Sequence, residues 1–574
     1  MNTNKCDKMP RYFPWLLVII GAIAYINAMD GPFIYDDHPS IVENKDMRVL
    51  WPPSRLFSGP DQSTVAGRPL ICLSLALNYA ADGMNVRGYH AVNLAVHLAC
   101  ALLLFGVIRR TLHGPLLRPR FEHTADGLAL ACALLWVVHP VLSECVNYIV
   151  LRTESMMGLF YLLTFYCVIR ADDSANRSRW TVSAVLACAA GMASKEAMVT
   201  APMMIVLYDL AFRTGSIRDT LHRRWPLYAA LASTWIILAT IMATGPRSDS
   251  VGFTLGTSGL QYAMNQCLMI SGYFRMAFWP YPLSIDHGVP RVLTVGQVAP
   301  YALIVVALLV ATLIVYIRRP AIGFGAVWFF VALSPTSSFV PIATEVGAER
   351  RMYLSLAGLI VVTVIGGYLL ITRWCATAKK QSGNRLAIGI AAVVIVILTI
   401  TTLNRNEDYN TTVSIWNSAT QATPHNPRTW SNLGEALAAQ NNLARAVAQY
   451  EKALDLDPDF LEAHVNLGDA LTTLARYEEA IDHCRQAIGI NPYSAQAYNN
   501  WGAALYRKND LGGSVAQYRK ALEIDRDHAE ANFNMGTSLL KMGNLQQAAE
   551  HFRRVLRAQP DDAETQRILR QLKQ

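Results

Sequence analysis

The sequence predicts an all-α protein in two parts: a polytopic helical membrane domain of about eleven spans, followed by an α-solenoid of short repeats. Three observations predict it. Hydrophobic residues make up 52% of the 574-residue chain and charged residues only 16%, against about a quarter charged in an ordinary soluble domain. Nearly all long apolar runs lie between residues 12 and 403, and mean hydropathy is +0.23. From Asn404 the chain turns polar and keeps a 34-residue period. Such a composition excludes a simple soluble enzyme and an intrinsically disordered chain. The boundaries follow: 1–403 for the membrane domain, 404–427 for a connector built on a degenerate half-repeat, and 428–574 for four full repeats.

The first span, from Pro14 to Met29, follows Lys5, Lys8 and Arg11. It lacks a small-residue cleavage site and reads as a retained anchor. Further spans fall near 88–108, 125–142, 153–170, 180–194, 197–212, 226–244, 301–317, 321–340, 353–372 and 386–403. Basic residues punctuate them in clusters: Arg109/Arg110/Arg118/Arg120, Arg170/Arg177/Arg179, Arg213/Arg218/Arg223/Arg224, Arg318/Arg319 and Arg373/Lys379/Lys380/Arg385. This spread argues against nucleic acid as a partner, despite the net charge of +8. The positive-inside rule places these clusters and the N-terminus in the cytoplasm. The apolar stretch 261–280, with its aromatic residues and Arg275, then stays outside as an interfacial or re-entrant helix. The odd span count puts the C-terminal repeats outside, in the periplasm of a bacterial inner membrane or, as the alternative, in the lumen of the endoplasmic reticulum. The ten cysteines form no CxxC pair and no zinc spacing, so they read as buried small hydrophobes.

Two external segments result, a loop at 30–87 and a segment at 245–300. The loop carries Tyr35-Asp36-Asp37-His38 just beyond the first span. Two adjacent carboxylates so near a bilayer are costly unless solvated or paired; the plain alternative is a solvated turn, since Gly31-Pro32 and His38-Pro39-Ser40 are turn chemistry. More polar groups recur on the same side: His139 and Glu144, Arg152 and Glu154, Lys195 and Glu196, then Glu345, Glu349, Arg350 and Arg351 with Tyr353. Singly they read as loop-end or snorkelling residues. Together they make a mixed acidic and basic site, where guanidinium forks match phosphate oxygens.

In the second part Gly434, Gly468, Gly502 and Gly536 recur at a spacing of 34, as do Leu437, Leu471, Leu505 and Leu539. Ala453, Ala487 and Ala521 are joined by Val555 as the fourth, and Tyr450, Cys484, Tyr518 and Phe552 share an aromatic slot with one lapse. This is the tetratricopeptide repeat, a helix–turn–helix that stacks into a concave groove. Asn432, Asn466, Asn500 and Asn534 keep the same spacing. Their amides predict a ladder that clamps an acceptor peptide backbone; stabilisation of the repeats themselves is the alternative.

The ordered set YDDHPSIVEN (35–44), GRPL (67–70), YHAVNLAVHL (89–98), HPVLSECVNYIVLRTES (139–155), SKEA (194–197), FWPYPLSID (278–286) and VGAERRMYLS (346–355) ends in the repeats. In this order it resembles the transmembrane and tetratricopeptide-repeat-containing O-mannosyltransferases, within the C-type (GT-C) glycosyltransferase superfamily. The resemblance implies a polyprenyl-phosphate sugar, mannose, as donor and a Ser/Thr hydroxyl of a polypeptide as acceptor, with inversion at the anomeric carbon. It implies Asp36 as general base or acceptor-orienting carboxylate, with Asp37 beside it as the other candidate base. Arg152, Lys195, Arg350 and Arg351 are then the cations for the lipid phosphate, and His38, His139, Glu144, Glu154, Glu196, Glu349 and Tyr353 support them. The chain departs from the pattern in its short repeat array and in the compact 245–300 segment. No metal-ligand cluster stands out and no cofactor is called for; a divalent ion at Asp36/Asp37 is the alternative. The partners implied are the lipid bilayer, the lipid-linked sugar and the acceptor polypeptide.

Two other classes fit parts of the sequence. A non-catalytic membrane scaffold would use the repeats to recruit proteins, but needs only one span. A transporter would carry ionisable groups at mid-membrane and an inverted repeat, whereas these charges cluster at span ends.

Overall fold

The computed structural model describes residues 10–52, 63–244, 257–338, 340–375 and 380–572. Parts of the expected external loop (53–62) and segment (245–256) lie outside the described residues, as do Lys5, Lys8 and Lys379. The chain divides into two compact units, Met1–Ile415 and Trp416–Gln574.

The first unit is a helical bundle. Its helices are α1 (Phe13–Ala24), α2 (Pro69–Asp82), α3 (Val86–Leu112), α4 (Ala125–Val137), α5 (Arg152–Asp173), α6 (Arg177–Met192), α7 (Ala201–Asp209), α8 (Ile217–Ser233), α9 (Trp235–Ala243), α10 (Gly259–Phe278), α11 (Val295–Arg318), α12 (Pro320–Leu333), α13 (Met352–Trp374) and α14 (Lys380–Asp408). Among the described residues six helical stretches are long and apolar enough to cross a membrane, and a bent pair, α4 with Pro140–Asn147, raises this to seven. The other expected spans fall on α1, α5, α6 and α12, which are shorter or more polar. Helix α5 is the instructive one. At about 1.5 Å per residue its 22 residues rise by roughly the 30 Å of a hydrocarbon core, with Arg152 and Glu154 at one end and Asp172 and Asp173 at the other. Helix α2, apolar but only 14 residues long, lies inside the 30–87 segment expected to be a loop.

Both ends of the bundle are polar and internally paired. At one end Arg109 meets Asp126, Arg110 meets Asp173, and Arg213 and Arg224 meet Asp172 and Asp209. The other end holds the first loop and the turns at 139–154, 194–197 and 345–351. Helix α3 carries a polar stripe toward it: His90, Asn93 and His97, spaced three and four residues apart on one face and all fully buried. His90 bonds the Gly31 carbonyl, Asn93 donates to the carbonyls of Val146 and Ile149, and His97 bonds the Tyr353 hydroxyl and the Val137 carbonyl. On the outside, α11 and α14 leave apolar side chains uncovered, with Leu303 72% and Ile388 69% exposed. A stripe that wide is a docking liability in water and an ordinary surface in lipid.

Helix α10 falls on the stretch expected at the interface and is not among the membrane-crossing helices. Tyr262, Gln266, Ile270 and Tyr273 form its buried face. Tyr262 donates to the Thr336 carbonyl, Gln266 donates to the Val346 carbonyl, and the Tyr273 hydroxyl accepts the Ala348 N–H. The helix thereby fixes the 336–348 loop. Phe278, Trp279 and Tyr281, just after it, are all more than 60% exposed, the pattern of an aromatic belt.

The second unit is four helix pairs in register: Pro427–Ala439 with Leu443–Leu456, Leu461–Thr473 with Tyr477–Ile490, Ala495–Arg507 with Leu511–Ile524, and Ala529–Lys541 with Leu545–Ala558, then Ala563–Gln571. The repeated glycine has a steric cause. A Cβ on Gly434 or Gly502 would lie 2.5 Å from the ring of Tyr450 or Tyr518, and one on Gly536 would lie 2.9 Å from Phe552. The lapse at Cys484 is the same contact with a smaller side chain, 2.9 Å from a Gly468 Cβ. Each turn between paired helices passes through a left-handed residue: Asn441, Ala475, Asn509 and Gly543, again at a spacing of 34. Asparagine and glycine tolerate that conformation, whereas alanine is strained there by about 1–2 kcal/mol.

Ala475→Gly is therefore expected to stabilise the second repeat by about 0.5–1 kcal/mol net of glycine's chain entropy, read as slower amide exchange across residues 461–490. Gly502→Ala, forced against the Tyr518 ring, is expected to cost about 1–3 kcal/mol, read as faster exchange in the third repeat.

Candidate functional site

Tyr35 sits at φ 42, outside the range an aromatic residue ordinarily adopts. The chain then enters a π-helical turn, His38–Val42. This bend sends the two neighbouring carboxylates in opposite directions. Asp37 turns inward and is 0% exposed; its Oδ2 accepts the Ile34 N–H at 3.0 Å and its Oδ1 accepts the Val150 N–H at 2.8 Å. Burial pushes its carboxyl up to about 8, against these N–H bonds, which favour the ionised form. Asp36 turns outward and is half-buried. Its N–H donates to the Tyr148 hydroxyl at 2.8 Å, and its Oδ2 accepts the Thr64 hydroxyl at 2.8 Å. No donor among the described residues reaches its Oδ1. The expected acidic pair is thus corrected: with both oxygens occupied and no solvent contact, Asp37 holds the turn at 149–150 and cannot take a proton from an incoming hydroxyl. His38 is exposed beside them.

The structure brings Lys195, Arg350 and Arg351 together with carboxylates. Arg350 donates from its backbone N–H (2.8 Å) and from its guanidinium (2.9 Å) to Glu144, and pairs with Glu345. Arg351 donates to Glu345 at 2.9 Å and to the Thr336 carbonyl at 2.9 Å. Lys195 pairs with Glu154, and Glu196 accepts Arg68 at 2.9 and 3.3 Å. Four cations (Arg68, Lys195, Arg350, Arg351) thus face four carboxylates (Glu144, Glu154, Glu196, Glu345). Burial works against the Glu345 charge, but Arg350 and Arg351 hold its carboxyl well below the usual range. Burial also lowers the Lys195 ammonium from its ordinary value, opposed by Glu154. Glu154, Thr336, Arg350, Arg351 and Tyr353 line a cavity of about 10 Å³, room for one water. Glu349 lies alongside, 0% exposed, and accepts the Ser284 N–H. His287 and Arg405 stand 3.8 Å from its carboxylate.

Three expected site residues spend their polar groups on the protein itself. Arg152 was expected to meet a phosphate, but it is 0% exposed and spends its donors on the protein: Asn93 at 2.7 Å, the Ser74 hydroxyl and Tyr89 carbonyl at 3.0 Å each, and Asn78. That corrects its assignment, since none of its forks is presented to a ligand. His139 caps the Pro140–Leu142 turn and bonds the Ala277 carbonyl. Tyr353 is locked to His97 and Trp136 in an aromatic cluster.

The asparagine ladder is also partly consumed. Asn500 is buried, donating to the Val465 carbonyl at 3.0 Å and accepting from Gln496 at 3.0 Å. Asn534 donates to Asn499 at 3.0 Å. These two amides tie neighbouring helices, so they correct the expectation of four groups open to a peptide. Asn466 and Asn432 are half-buried, and the Asn432 amide nitrogen has no partner among the described residues. Sequence reasoning missed Thr64, Tyr148 and the role of Arg68. Tyr148 and Arg68 stood inside family-like strings, whereas nothing marked Thr64.

Comparison with known proteins agrees with this layout. The family described as dolichyl-phosphate-mannose-protein mannosyltransferase matches residues 92–242, and tetratricopeptide-repeat families match 431–495, 502–543 and 529–562. The chain is 26% identical over 506 residues to the protein O-mannosyl-transferase TMTC4 of Homo sapiens, covering 76% of this chain and 66% of that one. It is 24% identical over 501 residues to TMTC3 of Mus musculus, covering 78% of this chain and 52% of that one. The chain therefore spans about half to two thirds of the length of these curated relatives. Among solved structures, a thermophilic tetratricopeptide-repeat protein of Thermus thermophilus aligns with 30% of this chain and 94% of its own at 18% identity and a TM-score of 0.27.

Asp37 carries a signature that pH reads out. Its folded-state value near 8 lies above its ordinary 3.8, so between those values the folded chain binds more protons than the unfolded one. The contribution of Asp37 to stability is then greatest below about pH 4 and is lost as pH rises to about 8. The melting temperature of the wild-type chain in detergent is expected to fall between pH 5 and 8, and Asp37→Asn, which does not titrate, to flatten that slope.

Proposed function

We propose that the protein transfers mannose from a polyprenyl-phosphate donor to Ser/Thr hydroxyls of a polypeptide, with inversion, at the polar end of the bundle that holds Asp36. The observation that carries this reading is the split of the acidic pair. One carboxylate is spent on the fold, and its neighbour is half-buried with one oxygen that no donor among the described residues reaches. In the reaction the acceptor oxygen bonds to the anomeric carbon, the bond from that carbon to the phosphate oxygen breaks, and the hydroxyl proton passes to Asp36 Oδ1. The lipid phosphate leaves with its electron pair. Arg350, the most solvent-accessible of the arginines beside Glu144 and Glu345, is the cation best placed to exchange a carboxylate for that phosphate, with Lys195 second. The similarity to proteins named O-mannosyl-transferases supports the sugar and the acceptor class. The repeats present the acceptor, on the outer side of the membrane in this reading, with 404–427 as connector.

A second reading, a membrane scaffold without chemistry, draws on the charge-neutral cluster, because a network of ion pairs is also what a purely structural cap would contain.

The test is hexose transfer in nanodiscs from polyprenyl-phosphate mannose to a Ser/Thr-rich peptide, read by peptide mass. Wild type is expected to add hexose, and Asp36→Asn to lose about 10²–10⁴-fold in rate. Asp37→Asn is expected to retain transfer in proportion to its folded fraction. Absence of transfer with a panel of lipid-linked sugars, alongside repeats that still capture protein partners, would favour the scaffold.

A further inference from the structure

Asp36 is presented by a second segment as well as by its own loop. The Thr64 hydroxyl donates to Asp36 Oδ2 at 2.8 Å, and Thr64 is not loose. Its carbonyl accepts the Arg68 guanidinium at 2.7 Å. The same guanidinium, 3% exposed, reaches Glu196 at 2.9 Å on a turn 128 residues away. Val65 and Ala66, between Thr64 and Arg68, are both 0% exposed, and the Cys72 thiol reaches back to the Val65 carbonyl at 3.6 Å. The Arg68 carbonyl accepts the N–H groups of Ile71 and Cys72 at the start of α2. The hydroxyl is therefore delivered to the carboxylate by a tied segment whose anchor lies on the Lys195–Glu196 turn.

We infer that Thr64, fixed by Arg68 and Glu196, is a positioning residue that aims Asp36. The inference rests on the proposed role of Asp36 as base. A carboxylate on a half-buried loop rotates about its last torsion, and proton transfer needs one oxygen at hydrogen-bond distance from the incoming hydroxyl. Pinning Oδ2 with Thr64 while Tyr148 holds the backbone N–H leaves Oδ1 as the single acceptor and gives it one direction. Because Thr64 is tied by its backbone, it does not leave to make room, and the substrate meets the oxygen that Thr64 does not use. The Glu196–Arg68 pair is then a strut for the base, and its charges are not available to a phosphate.

Two measurements on the full-length chain in nanodiscs test this. The first needs no activity: the rate of carbodiimide labelling of carboxyl groups with glycinamide at one fixed pH, read at Asp36 itself. Thr64→Val is expected to label faster, because Oδ2 loses its cover, whereas Thr64→Ser, which keeps the hydroxyl, holds the wild-type rate. The second is hexose transfer. Thr64→Val is expected to lower kcat about tenfold to a hundredfold, the loss of one hydrogen bond to a charged group. It should leave the peptide KM nearly unchanged, so that the loss falls on kcat. Thr64→Ser is expected to stay within a few-fold of wild type, and Glu196→Gln to lower kcat in the same direction as Thr64→Val. Identical labelling rates in all variants would overturn the inference. So would an unchanged kcat in Thr64→Val, or hexose found on Thr64 itself, which would make that hydroxyl an acceptor. Faster labelling of Thr64→Val with no transfer by wild type would retain the contact and remove the proposed reaction.

Discussion

The first unit depends on a buried guanidinium that has no carboxylate within hydrogen-bonding reach among the described residues. Arg152 begins α5 fully enclosed, and the cost of burying a charge is met by neutral dipoles: Asn93, Asn78, the Ser74 hydroxyl and the Tyr89 carbonyl. Those partners come from α3 and from α2 in the external loop, so one side chain stitches three elements. Lipid offers no water to substitute for a missing partner. Shifting α2 or rotating α3 would strand the charge, and this fixes the polar end as a unit. Asn93 in turn holds the carbonyls at 146 and 149, next to the turn that Asp37 clamps.

From that core outward the polar groups change in kind. Inside are hydrogen bonds to carbonyls and amides, which set distances but carry little net charge. Further out the pairs become ionic, with Arg350 bridging Glu144 and Glu345. Such buried pairs contribute modestly to stability and fix geometry strongly. Asp36 lies at the outer limit of this gradient, half-buried.

Much of the architecture was legible because it is periodic or compositional. The 34-residue spacing names the repeats, since close packing against Tyr450, Tyr518 and Phe552 admits only glycine opposite them. The apolar runs mark the helices that face lipid. The site was legible as a set of residues and illegible as an arrangement. Asp36 and Asp37 are chemically alike and adjacent; what separates them is the left-handed Tyr35 and an N–H 113 residues further along the chain. Arg152 and Arg350 look equivalent as arginines at span ends, and only the partners supplied by α3 and by α2, itself hidden in the 30–87 loop, turn one inward. Thr64 sits in a stretch without periodicity. The asparagines kept their register but not a common role, because Asn499 and Gln496, which carry no repeat signature, engage two of them.

The match of cations and carboxylates at the outer end also governs how a charged headgroup finds it. Opposite charges a few ångströms apart form a multipole whose field collapses within a short distance, and the screening of ordinary saline shortens it further. A face built this way casts no long electrostatic shadow over the water or the leaflet beside it, unlike clefts of one sign that draw ligands in. An anionic lipid donor of the kind proposed above would therefore encounter it by wandering in the plane of the bilayer, and its recognition would begin only at contact, when a phosphate takes the place of a resident carboxylate on a guanidinium.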